Sequence, residues 1–236
     1  MYRASGFDVD AIVFDFDNTL VDALYSYWQY ARDCEAGFKG VELGGFVEKM
    51  GYSAEGDFVL LPRDLMNRYD NTRYYFRRPL IPGAKEVLSR LKSLYRIVVL
   101  STSRDPVKKK MYIKRVVPDA ERVFVVDDNS KGGGKASDIK EIARDFNISP
   151  GRILLLDDQF RHLRAGLDVG ANVVRMRPKY SRALPKDLRA VREVSSIYKF
   201  ENLVCGNDSR SISGKMKKSV PSSRSHVLHM WQPRVR

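Results

Sequence analysis

The chain has 236 residues, 43% hydrophobic and 30% charged, the balance of a globular protein with a core of its own and room for a small accessory module. Its clean apolar runs, such as Ile97-Val98-Val99-Leu100, fall far short of the ~20 residues a membrane span needs, and residues 1–8 carry no apolar signal core, so the expectation is a cytoplasmic protein with no membrane partner. The net charge of +13 is lopsided: residues 178–236 hold 13 Lys/Arg against 4 Asp/Glu, which places +9 in the C-terminal quarter.

Ala11-Ile12-Val13-Phe14 reads as a strand buried on both faces, as in a parallel sheet. Asp15 and Asp17 arrive where that strand should end, and Asn18-Thr19 supplies turn chemistry. Open α/β sheets bind ligands at the carboxyl ends of strands, and two carboxylates there are costly unless a cation, a proton or a substrate compensates them. A strand-ending turn rich in Asx residues would use the same side chains. Residues 20–36 predict a helix with Leu20, Leu24, Tyr27, Trp28, Ala31 and Cys34 on one face. Its aromatic content (Tyr25, Tyr27, Trp28, Tyr30) suits either a packed core or a base-stacking platform. Residues 42–50 and 62–78 each predict a helix, with Gly51, Gly56 and Pro62 as breaks. Arg68, Arg73, Arg77 and Arg78 interleave with Tyr69, Tyr74, Tyr75 and Phe76, which fits a substrate-facing surface or a solvated face over an aromatic underside equally well.

After Pro82-Gly83, residues 85–93 predict a helix with Val87, Leu88 and Leu91 inward, and residues 97–100 a strand. That strand runs into Ser101-Thr102-Ser103-Arg104, with a helix N-terminus at Asp105-Pro106 whose N–H groups suit an anion. A helix over 106–116 leads to a strand over 122–126 and then to Asp127-Asp128-Asn129. Ser130-Lys131-Gly132-Gly133-Gly134-Lys135 lacks the P-loop spacing, so it reads as a flexible loop delivering one lysine. Residues 136–146 predict an amphipathic helix through Ile139, Ile142, Ala143 and Phe146; residues 153–156 are a strand ending in Asp157-Asp158; a helix over 159–167 and a fifth strand over 172–176 follow. This alternation argues for an α/β fold with a doubly wound parallel sheet of five strands. Residues 185–194 read as a short helix, 198–204 as a closing segment, and 206–236, with 7 Lys/Arg and 1 Asp, as a disordered basic tail. Val227, Leu228, Met230 and Trp231 are either a docking segment or the tail's few apolar residues. Cys34 and Cys205 lie in unlike contexts, and reduced thiols account for both.

Asp15-x-Asp17-x-Thr19 after an apolar strand resembles the nucleophile motif of the haloacid dehalogenase-like (HAD) superfamily, whose members are mostly phosphatases. The hydroxyl cluster at 101–103, Lys135 one helix before Asp157-Asp158, and Val169-Gly170-Ala171-Asn172 after it stand in that superfamily's order, so the resemblance spans residues 9–176. It implies a HAD-type Rossmann-like core over 1–22 and 79–204, a small helical cap over 23–78 and a basic tail over 205–236. It further implies Asp15 as nucleophile, Asp17 as acid and base, and Thr102, Lys135 and Asn18 as phosphate ligands, with Ser101 and Ser103 as alternatives to Thr102. Mg²⁺ would be held by Asp15, Asp17, Asp158 and Asp157; Asp127-Asp128 precedes the lysine and is out of order for that role. One departure stands out. Four residues after the metal-binding Asp158, where many members carry a second acid, this chain has His162. Adjacent aspartates are another accepted form of that motif, with Asp157 helping to hold the metal.

Elementary electrostatics agrees with these roles. Three carboxylates and a phosphate dianion together demand a divalent cation, and hard oxygen donors suit Mg²⁺. The charge beside Asp17 would help keep it protonated for a leaving alkoxide, and an acid so placed argues against dehalogenation, which has no leaving oxygen. The expected function is a Mg²⁺-dependent phosphatase acting on a phosphorylated small molecule or nucleotide. The alternatives are a nucleotide or nucleic-acid-end phosphatase, using the basic and aromatic cap and tail, and a catalytically weak protein of this fold that binds RNA or an acidic partner.

Overall fold

The structure is a computed structural model that describes residues 7–52, 61–127 and 135–206. In chain order its elements are β1 (Ala11–Phe14), α1 (Ala23–Cys34), α2 (Leu43–Met50), α3 (Arg63–Tyr69), α4 (Arg73–Phe76), α5 (Ala84–Leu91), β2 (Arg96–Ser103), α6 (Pro106–Val116), β3 (Arg122–Asp127), α7 (Ala136–Phe146), β4 (Ile153–Asp157), α8 (Phe160–Asp168), β5 (Asn172–Met176), β6 (Arg192–Val194) and α9 (Ile197–Cys205). All strand pairs are parallel, in the order β3-β2-β1-β4-β5-β6. The α/β class expected from the alternation is correct.

Strand periodicity divides the core in two. Ile12 and Phe14 of β1 join one apolar cluster with Val87, Leu88 and Leu91 of α5, Ile113 of α6 and Phe200 of α9. Ala11 and Val13 join the other, with Ile139, Ile142 and Phe146 of α7 and Leu163 of α8. Successive strand side chains point to opposite faces, so a run of four fully buried residues needs a helical layer on each side. From β1 the chain winds outward to β2 and β3, then returns to place β4 on β1's other edge and winds outward to β5 and β6. The carboxyl ends of β1 and β4 therefore flank the point where winding reverses, the usual crevice for a ligand in such sheets.

Several sequence expectations need correction. The sheet has six strands rather than five, because residues 192–194 pair with β5 through Val174, Arg175 and Met176, leaving only a 3₁₀ turn at Lys186–Leu188 where a helix was expected. Three residues are too few to show a strand period in sequence. The helix expected over 62–78 is two helices. Thr72 donates its hydroxyl to the Tyr69 carbonyl at 2.7 Å, a local bond that competes with helix continuation. On α1 the buried residues are Ala23, Ser26, Tyr30 and Ala31; Leu24 and Tyr27 line a cavity instead, and Cys34 is exposed. The Gly-rich loop at 131–134, Asp128 and the tail from 207 onward lie outside the described residues. Among the described residues no helix is long and apolar enough to cross a membrane.

Gly83 opens α5 at φ +84°, and a Cβ there would stand 2.3 Å from the Tyr198 ring of α9. Gly83→Ala is expected to destabilise the protein by at least ~1–2 kcal/mol from the left-handed backbone alone, before the clash is counted. Urea denaturation checks this; an unchanged midpoint would contradict it.

Candidate active site

The site grows from the ends of the two central strands. The Asp15 amide donates to the Leu156 carbonyl at 2.8 Å, which fixes the residue after β1 against β4. Lys135, at the start of α7 and fully buried, donates its ammonium to Asp15 Oδ1 at 2.5 Å and to Asp157 Oδ2 at 2.6 Å. Burial alone would lower the lysine's pKa, but the Asp15 and Asp157 carboxylates outweigh it and hold it above the usual range. Asp15 itself is pushed up to about 7, chiefly by burial, against the pull of Lys135 and with help from Asp157 and Asp17.

Asp157 is the most heavily engaged group. Its Oδ1 accepts from the Gln159 amide at 2.9 Å, and both its oxygens lie 3.1 Å from His162 Nδ1. Burial would raise its pKa, but His162 and Lys135 hold it below the usual carboxylate range. Burial lowers the pKa of His162, which favours the neutral ring donating through Nδ1; its Nε2 is buried without a partner. Asp15, Asp157 and His162 form the cluster of potential metal ligands among the described residues, with ligand atoms within 4.8 Å of one another. The Lys135 ammonium already stands on two of them.

Asp158 is different. It is fully buried, its Oδ2 accepts from Asn18 Nδ2 at 3.3 Å, and its Oδ1 has no partner. Burial, then Asp15 and Asp157, push its carboxyl well above the usual range. An unpartnered buried carboxylate oxygen is a hard donor of the kind a divalent cation takes. Asp158 thus offers a free hard oxygen, while Asp15 and Asp157 are already bridged by Lys135. Asn18 adopts φ +58°, a region asparagine tolerates, and its Oδ1 accepts from the Leu24 amide at 3.1 Å. It ties the loop after β1 to both α1 and Asp158.

Asp17 is held by two buried cations, Arg78 through Nη1 on Oδ1 and Lys109 through Nζ on Oδ2. Burial favours its neutral form, but Arg78 and Lys109 outweigh it and hold the carboxyl below its ordinary pKa. This corrects the expectation that neighbouring negative charge keeps Asp17 protonated: in the free protein the cations win. Lys109 is pulled down to about 8, mainly by burial.

Asp17, Asn18, Thr102 and Asp158 open onto one cavity of about 370 Å³. Among the three hydroxyls at the end of β2, Ser101 is buried outside the lining, while Thr102 and Ser103 both line the cavity, Ser103 bonded to the Asp105 backbone at 3.1 Å. Leu24 and Tyr27 of α1, Met66 of α3 and Tyr75 of α4 form the far wall, so the helices inserted after β1 stand over the strand ends. Sequence reasoning left the role of Arg78 open and missed Lys109. The signal for Lys109 was its place three and four residues before Tyr112 and Ile113, on the stripe that α6 buries. Arg175 was also missed. It is fully buried on β5, stacks on Phe160 at 4.3 Å, and donates to the Arg182 carbonyl and Glu193, tying down the segment that carries Pro178 and Tyr180 into the cavity wall.

Residues 9–170 match the family model of haloacid dehalogenase-like hydrolases. No curated protein matches the chain. Its fold is similar to a HAD family hydrolase from Deinococcus radiodurans R1 with bound phosphate and sodium, at 20% identity and a TM-score of 0.58, covering 84% of this chain and 96% of that one. It is similar also to a HAD-hydrolase from Bacillus subtilis bound to magnesium, at 16% identity and 0.60, with 83% and 98% covered. A third similar structure is a predicted phosphoglycolate phosphatase from Haemophilus somnus, at 18% identity and 0.57, with 83% and 97% covered.

Proposed function

The chain belongs to the haloacid dehalogenase-like hydrolase family, and from that premise we propose that it is a Mg²⁺-dependent phosphatase that hydrolyses a phosphate monoester through Asp15. The observation that carries this reading is the Lys135 ammonium on Asp15 at the winding reversal, with Asp15 close in the chain to Asp17 and Asn18, which line a cavity together with Thr102 and Asp158. Similar structures with bound phosphate and with magnesium support it.

Asp15 attacks phosphorus in line. One Asp15 oxygen bonds to phosphorus as the ester P–O bond breaks, and the leaving oxygen takes a proton from Asp17. Water then attacks the aspartyl phosphate, gives a proton to Asp17, and releases inorganic phosphate with Asp15 restored. In the free protein Arg78 and Lys109 keep Asp17 ionised, the form that can accept a proton in the second half. In the first half, the negative charge of the arriving phosphate offsets Arg78 and Lys109 and raises the proton affinity of Asp17. Lys135 and Thr102 hold phosphoryl oxygens, where charge spreads in the transition state. Asp15 and Asp158 would hold Mg²⁺, which when bound screens the carboxylates from the phosphate and polarises a phosphoryl oxygen. Asp157 anchors Lys135 and His162 instead of taking the ion directly. Asn18 orients Asp158. The helices of residues 23–78 act as a small cap, and the aliphatic and aromatic far wall receives the organic part of the ester. An acid at Asp17 favours phosphatase over dehalogenase chemistry, since a departing halide needs no proton.

Release of phosphate from an aryl phosphate tests the reading. EDTA is expected to silence it and Mg²⁺ to restore it. Asp158→Ala is expected to raise the Mg²⁺ concentration for half-maximal rate by about tenfold or more, the scale of a lost charged ligand, while Asp127→Ala leaves it nearly unchanged. The reverse ranking would move the metal to the end of β3, and metal-independent turnover would sink the proposal.

A further inference from the structure

Arg78 is the last residue of the helical insert before the chain rejoins the core, and its side chain is 1% exposed. Its guanidinium lies 4.2 Å from the centre of the Tyr75 ring and 5.4 Å from that of Tyr69, with Tyr27 and Tyr112 completing a cage drawn from α1, α3, α4 and α6. Nε donates to the Tyr69 hydroxyl at 2.9 Å, which in turn bonds to Ser26 Oγ at 3.0 Å. Its backbone neighbours are zipped to the loop after Asp17: the Asp22 amide donates to the Pro79 carbonyl at 2.8 Å, and the Ile81 amide to the Leu20 carbonyl at 2.9 Å. The remaining face of the guanidinium meets Asp17 Oδ1, while Lys109 holds Oδ2. Asp17, Arg78 and Lys109 all border the cavity, but of the first two only the Asp17 side chain, 30% exposed, is open to it.

A guanidinium so enclosed is poorly placed to close around a substrate. A carboxylate taking a charge-assisted bond on each oxygen has one orientation left to it. Resting on the phosphatase reading above, we propose that Arg78, with Lys109 as second anchor, is a positioning residue that fixes the Asp17 carboxyl on the leaving-group side of the cavity, and that the tyrosine cage makes that position depend on a docked insert. Lost orientation then weakens delivery of the proton to the departing oxygen and leaves phosphate binding alone.

The experiment compares ethyl phosphate, whose alkoxide needs a proton to leave, with p-nitrophenyl phosphate, whose phenolate does not. Arg78→Met is expected to increase the ratio of aryl to alkyl kcat by about tenfold or more, within the 10²–10⁴-fold that general acid catalysis supplies, with KM for both esters within about threefold of wild type. Tyr69→Phe, which keeps the ring and removes the hydroxyl partner of Nε, is expected to move the ratio the same way by less, and Arg78→Lys to fall between. These two carry the test if Arg78→Met does not fold. An equal fall in kcat on both esters would make Arg78 merely structural, and a rise in KM for both would make it a phosphate ligand; either overturns the proposal. Failure of the underlying reading looks different: Asp15→Asn would then retain turnover, whatever Arg78 does.

Discussion

Asp15→Asn is expected to lower phosphate release by at least about a thousandfold, or ~4 kcal/mol of transition-state stabilisation, because an amide oxygen of the same size cannot form the acyl phosphate. The fold should survive. Asparagine fits the space between the ends of β1 and β4, the Asp15 amide keeps its bond to Leu156, and Lys135 keeps Asp157 as counter-charge. Kinetics and thermal unfolding on the same preparation separate the two effects. A rate within about tenfold of wild type, small against the 10⁶-fold or more that enzymes supply, would remove Asp15 from the nucleophile's role.

Lys135→Met should harm both stability and activity. The ammonium is fully buried and stands between two carboxylates that are themselves buried, so its removal leaves Asp15 and Asp157 facing each other without a cation. Breaking a buried ion pair from one side costs about 3–5 kcal/mol, a large fraction of the ~5–15 kcal/mol that holds a domain folded. Part of that is relieved if Asp15 takes up a proton, but a protonated Asp15 is no nucleophile. Loss of the lysine also removes a preorganised cation from the phosphoryl oxygens, worth about 10²–10³ in rate. The expected outcome is a urea midpoint well below wild type and a rate at least a hundredfold lower. A variant as stable as wild type would mean that the lysine does not bridge these acids in solution.

Much of this was legible in the chain because it depends on local pattern. Four apolar residues before Asp15, and four before Asp157, mark strands buried on both faces, and the helical stripe at Ile139, Ile142, Ala143 and Phe146 marks a helix that covers them. Polar residues that interrupt such runs at the strand ends sit at the ligand edge of an α/β sheet, which, with the motif order of the resembled superfamily, is why Asp15, Asp17, Thr102 and Asp158 can be proposed as site residues from the sequence. The lone lysine after three glycines is singled out by the motif order of the resembled superfamily.

What the tertiary structure decided is which charge faces which. Sequence order placed Asp157 and Asp158 side by side, but adjacent side chains at a strand end point to different surroundings: Asp157 turns to Lys135 and His162, while Asp158 turns to Asn18 and keeps one oxygen unpartnered. The two cations on Asp17 come from positions 61 and 92 residues further along the chain. Nothing local in the sequence of either announces that pairing, and it reverses the sign of the expected pKa shift on Asp17. Periodicity fixes which face of an element is buried. The partner of a buried charge is set by where separate elements meet in space, and that only the folded chain determines.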